Sequence, residues 1–91
     1  MDYETVLIVD GMLDDPTIEA QIAKAEEFIR SKGELKNTTR LGKRRMAYTI
    51  KKKNYGYYVV FTYRGDGKLV SDMEQIFRYD EQVVRYLTTR A

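Results

Sequence analysis

Seven basic side chains fall between Arg40 and Lys53 (Arg40, Lys43, Arg44, Arg45, Lys51, Lys52 and Lys53), with no carboxylate among them. At that density, guanidinium and ammonium groups neutralise phosphates and release the counterions condensed on a polyanion, so the chemistry on offer is binding rather than bond-making. A hairpin that was only solvated would mix signs across its strands to relieve like-charge repulsion. Groups that make and break bonds are scarce. The sequence has no histidine and no cysteine, which removes the usual general base, the thiolate nucleophile, disulfides and thiolate metal sites. Asp14-Asp15 stands directly before Pro16 and reads as a helix cap, not as a metal or acid pair. No catalytic residue, metal site or cofactor is expected.

The elements that must carry these cations follow from pattern. Met46, Tyr48 and Ile50 alternate through the basic block, and a period of two sends alternate side chains to one face of a strand. Asn54 to Gly56 are turn-formers ahead of a second run, Tyr57 to Tyr63, so the two runs predict a β-hairpin with a cationic tip. Gly42 interrupts the first run and is expected to form a bulge that re-aims the basic residues after it.

The charge is lopsided along the chain. A net charge of +2 conceals nine acids against three bases over residues 1–34, and thirteen bases against five acids over residues 35–91. With 91 residues, 43% hydrophobic and 33% charged, residues 1–91 are expected to form one domain around a single modest core. No apolar run approaches bilayer-crossing length, and the opening Met1–Gly11 lacks the pattern of a secretory signal, so the expected location is cytoplasmic, with no membrane partner.

Taken in order, Tyr3 to Val9 is apolar on both faces and predicts a central strand. A helix capped by Asp14 or Asp15 follows, with Ile18, Ile22, Ala25, Phe28 and Ile29 on its buried stripe and Gly33 as a left-handed terminator. Leu35 to Ile50 and Tyr55 to Tyr63 are β-like. Gly65-Asp66-Gly67 opens a second helix, with Leu69, Met73, Ile76 and Phe77 inward and Arg78 in its last turn, and Val83 to Thr89 is a final strand. The order β-α-β-β-α-β is that of an α+β, ferredoxin-like sandwich: a four-stranded antiparallel sheet, first and third strands central, with two helices on one face.

Such a sandwich leaves one sheet face uncovered, and polar residues reveal which parity points there. Thr62 sends Tyr58 and Val60 outward, Glu4 sends Val6 and Ile8, and Arg85 sends Leu87. Val6, Ile8, Tyr58, Val60 and Leu87 are therefore expected to form an apolar patch suited to a protein partner.

The segment Gly42-Lys43-Arg44-Arg45-Met46-Ala47-Tyr48-Thr49-Ile50-Lys51 resembles the signature of the bacterial small-subunit ribosomal protein S6 family: a glycine and basic residues, then an aliphatic-Ala-Tyr-x-Ile-basic run. Tyr3-Glu4-Thr5-Val6, Gly56-Tyr57-Tyr58 and Phe77 to Leu87 stand at similar positions, so the resemblance spans nearly the whole chain. Met46 stands where leucine is more usual, and many members extend past the position of Ala91 with a polar or basic tail. The resemblance implies a non-enzymatic small-subunit component, monomeric when free, that binds 16S ribosomal RNA together with ribosomal protein S18. Carried over by position, Lys43, Arg44, Arg45, Lys51, Lys52 and Lys53 are the candidate phosphate contacts, with Arg78 and Arg85 secondary.

Three other readings share the element order. A stand-alone RNA-recognition-motif domain would need Tyr55 and Tyr57 stacking on the open face, whereas parity sends Tyr57 inward. An acylphosphatase-like hydrolase would need an arginine-rich phosphate loop where Gly11 to Asp15 is acidic. A ligand-sensing domain of this architecture has no pocket signature in the sequence.

Overall fold

The computed structural model describes residues 1–91 as β1 (Asp2–Asp10), α1 (Asp15–Lys32), β2 (Glu34–Ile50), β3 (Lys53–Arg64), α2 (Gly67–Arg78) and β4 (Val83–Arg90). All strand pairs are antiparallel in the order β2-β3-β1-β4, so the two strands apolar on both faces are the central ones. Val6 lies opposite Val60 and Leu87, and Leu7 lies opposite Val59 and Tyr86. That register puts one parity of β1 and β3 under the helices and the other in the open, since a slip of one residue would exchange the faces. No helix is long and apolar enough to cross a membrane.

Asp14 caps α1 by accepting from the Thr17 N–H at 3.0 Å, with Pro16 in the first turn. Asp66 caps α2 by accepting from the Leu69 N–H at 2.9 Å. These side chains satisfy N–H groups that have no partner within the helix. Ile18, Ile22, Ala25 and Ile29 of α1 and Leu69, Met73 and Phe77 of α2 are buried against Leu7, Val9, Val59, Phe61, Tyr63 and Val83. Each large apolar side chain removed from water contributes about 1.5–3 kcal/mol. Phe28 and Ile76, also expected inside, are only partly covered. Thr5 is the one buried polar residue, and its hydroxyl meets those of Tyr63 and Thr88 at 2.8 Å each. Burial pushes the Tyr63 phenol pKa up.

Gly33 ends α1, but not in the left-handed conformation. Its backbone is extended (φ −160°), and a side chain there would collide with the carbonyl of Arg64. The glycine serves close approach of α1 to β3.

The β2–β3 hairpin also turns earlier than the sequence suggests. Ile50 pairs with Lys53, and the turn is Lys51-Lys52, both with positive φ (53° and 64°), while Asn54 to Gly56 belong to β3. A two-residue turn with both φ positive matches the twist of its strands but ordinarily uses Asn and Gly. Gly56 is needed for space instead: a Cβ there would lie 2.5 Å from Ile8 Cγ2.

Candidate nucleic-acid interface

Three irregularities of the sheet shape the basic arm. At Gly42 (φ 92°) the register slips, with Arg40 opposite Val59 and Gly42 opposite Tyr58, so Leu41 is the extra residue of a bulge. The slip exchanges the faces of everything after it. Arg44, opposite Gly56, joins the open face, and Lys43 and Arg45, opposite Tyr57 and Tyr55, take the helix side. Between Arg45 and Ile50 the register slips again, leaving Met46 to Thr49 opposite Asn54 alone. The surplus lets the tip lean over the open face towards β4. A third slip, in β4, leaves Val84 as an extra residue between Val83 and Arg85.

The arm lands on that extra residue. Met46 is 7% exposed and packs with Ile8 and Val84 in a small cluster of its own, flanked by Val6, Ile50 and Tyr58. Arg85 donates to the Tyr48 hydroxyl at 3.0 Å, and the Lys51 ammonium donates to the Val83 carbonyl at 3.1 Å. Arg44 lies over the Tyr58 ring, 5.8 Å from its centroid, a cation–π arrangement.

The cations divide by what they face. Lys43, Arg44, Arg45, Lys51 and Lys52 are exposed and none has a carboxylate partner. Lys53 differs: it is half-buried and paired with Asp10 at 3.0 Å. Burial pulls the Asp10 pKa up, but the Met12 N–H and Lys53 together pull it further down, and the net shift is downward. Arg40 is held by Glu19 through two hydrogen bonds of 2.8 and 3.0 Å, which lower the Glu19 pKa. Arg78 lies in the helical layer, where the adjacent Tyr86 hydroxyl raises its pKa. Arg44, Lys51, Lys52 and Arg85 thus gather at the arm and the sheet end beneath it, Lys43 and Arg45 flank them on the arm's other side, and Arg78 stands apart.

On the open face Val6, Tyr58 and Val60 are partly exposed and Leu87 is 62% exposed. Ile8, expected to be exposed in this patch, is instead 8% exposed because Met46 sits on it. In the sequence Met46 and Tyr48 stand out by their alternation and their place in the family-like signature, neither of which names their partners. Their contacts lie across two strands, beyond the reach of local pattern.

The geometry counts against the stand-alone RNA-recognition-motif reading. Tyr57 packs against the helix-side core and Tyr55 shares its parity, so the stacking pair of an RNA-recognition motif is absent from the open face. In the Gly11 to Asp15 loop, Asp14 is committed to the α1 cap.

The sequence model of the family described as Ribosomal protein S6 matches residues 2–90. The small ribosomal subunit protein bS6 of Trichormus variabilis is 40% identical over 92 residues, covering 97% of this chain and 82% of that protein. The bS6 protein of Clostridium kluyveri is 35% identical over 89 residues, covering 97% and 94%. The crystal structure of 30S ribosomal protein S6 from Thermotoga maritima matches with a TM-score of 0.92 at 28% identity, over 99% of this chain and 86% of that one.

Proposed function

Because the chain belongs to the ribosomal protein S6 family, we propose that it binds 16S ribosomal RNA with its basic arm and ribosomal protein S18 with its open sheet face. It is a structural, non-enzymatic component of the small ribosomal subunit, working on the ribosome in the bacterial cytoplasm. The observation that carries the RNA assignment is the set Lys43, Arg44, Arg45, Lys51 and Lys52, exposed on one arm with no carboxylate of the same molecule beside them. Uncompensated charge of one sign is available for phosphates at no cost in broken ion pairs.

Lys53 reaches a phosphate only by leaving Asp10, so its contribution is smaller than that of the free cations. Arg85 flanks the arm, and Arg78 makes a separate, secondary contact. Folded ribosomal RNA is recognised largely through shape, backbone and 2′-hydroxyls, so the cations set position and the folded RNA supplies specificity. Val6, Tyr58, Val60 and Leu87 offer the partner protein an apolar surface, with Ile8 supporting it from beneath the arm.

The test is a salt titration of binding to a 16S ribosomal RNA transcript, with and without S18, for the parent and the double variant Arg44→Ala/Arg45→Ala. Loss of two phosphate contacts weakens binding and reduces the slope of log affinity against log salt by about 1.4–1.8. A slope unchanged in the double variant refutes the assignment.

A further inference from the structure

We propose that Met46, with Tyr48, is a positioning residue for RNA binding: it clasps the basic arm to the sheet and so presents the phosphate-binding cations in a fixed array. The inference rests on the reading above and adds to it a role for side chains that carry no charge.

The seat of Met46 is built by two departures from regular strand chemistry. Gly56 lies within a central strand, where glycine has no side chain to pack and weakens the strand. Its missing Cβ leaves a notch, and a Cβ built there would be 2.5 Å from Ile8 Cγ2 and 3.4 Å from Met46 Sδ. The second departure is the β4 bulge, which brings Val84 to the open side beside Ile8. Both irregularities converge on one methionine, whose flexible thioether suits an irregular gap. The Arg85 to Tyr48 and Lys51 to Val83 hydrogen bonds hold the same arm at two further points. Tyr48 is 62% exposed, so its ring adds little packing and its hydroxyl is what the clasp uses.

Without the clasp, the surplus Met46 to Thr49 would leave the tip free, and binding would have to order it. Ordering several residues at an interface lowers affinity without removing any phosphate contact. That signature separates positioning from charge.

The experiment measures amide hydrogen exchange of the free full-length chain, and salt-titrated binding to a 16S ribosomal RNA transcript with S18, for the parent, Met46→Ala, Met46→Leu and Tyr48→Phe. In Met46→Ala, exchange is expected to quicken at residues 46–52 and stay unchanged in β1, while affinity falls about tenfold at every salt concentration with the slope retained. Met46→Leu restores both. Tyr48→Phe removes only a hydrogen bond from an exposed residue and shows a smaller change in the same direction, so the inference stays testable if Met46→Ala unfolds. Unchanged arm exchange, or faster exchange with affinity within about twofold of the parent, overturns the clasp. A parent that shows no salt-dependent binding instead refutes the proposed function itself, and the clasp's role in RNA binding with it.

Discussion

Replacing Lys52 by glycine is expected to stabilise the protein while weakening its hold on RNA. Lys52 occupies the second turn position with φ 64°, and a left-handed backbone costs a residue with a Cβ about 1–2 kcal/mol. Glycine removes that strain but is freer in the unfolded chain, which offsets about 0.5–1 kcal/mol. The difference leaves Lys52→Gly more stable by about 0.75 kcal/mol at the middle of these ranges and about 1.5 kcal/mol at most, the middle value being about 3–6 °C in thermal midpoint for a domain of this size. The Lys52 side chain is exposed and has no carboxylate partner, so no native ion pair is lost to set against the gain. Binding moves the other way: one phosphate contact fewer reduces the salt slope by about 0.7–0.9. Thermal unfolding measures the first effect, and the salt titration measures the second. A destabilised variant would refute the account of backbone strain, and an unchanged slope would refute the placement of Lys52 against phosphate.

Leu87→Glu, on the open face, should leave stability within about 0.5 kcal/mol because the site is exposed, yet weaken capture of S18 by tenfold or more, roughly the loss of one strong contact; calorimetry with purified S18 reads it. Gly56→Ala should lower the unfolding free energy by about 1–3 kcal/mol, since the new methyl overpacks against Ile8, and denaturant titration measures the shift. Acid is a further lever. Asp10 and Glu19 have folded-state pKa values below their ordinary ones, so the unfolded chain binds more protons, and stability is full above the unfolded carboxylate value and is lost as pH falls through the folded one. Lys53→Met removes one of the groups that lower the Asp10 pKa, so stability should fall less steeply below about pH 4 than in the parent; denaturant midpoints measured down the acid range check it.

Much of the fold was legible because local chemistry and tertiary role coincide. Asp14 and Asp66 stand where capping residues are wanted, the run around Leu7 that is apolar on both faces became a central strand, and the element order placed the run around Val59 beside it. The Gly42 bulge was legible for the same reason: a glycine inside a strand pattern has few other uses. The hairpin turn misled because Asn54 and Gly56 carry turn chemistry yet lie in β3, while two lysines make the turn against their own preference. Gly33 was the right residue for a different reason, contact with the carbonyl of Arg64 rather than a left-handed backbone. Of the site, the charge was visible and its compensation was not. Lys53 and Asp10 are 43 positions apart and Met46 and Val84 are 38 apart, and no periodicity links residues that meet only when strands assemble.

Strand β2, 17 residues long, is an edge of the sheet, and such a margin, with its unused N–H and C=O groups, is a template for a second copy. Lys43, Arg44 and Arg45 string along it with no carboxylate partner, while Lys36 and Arg40 are already paired with Asp2 and Glu19, so two copies approaching margin to margin set the unpaired cations against one another. That protection depends on the medium, because the screening length shrinks from about 8 Å at physiological ionic strength to about 3 Å at 1 M. Concentrated stocks in strong brine lose the repulsion that keeps them clear, and fibrous or gelled deposits would start at this strand.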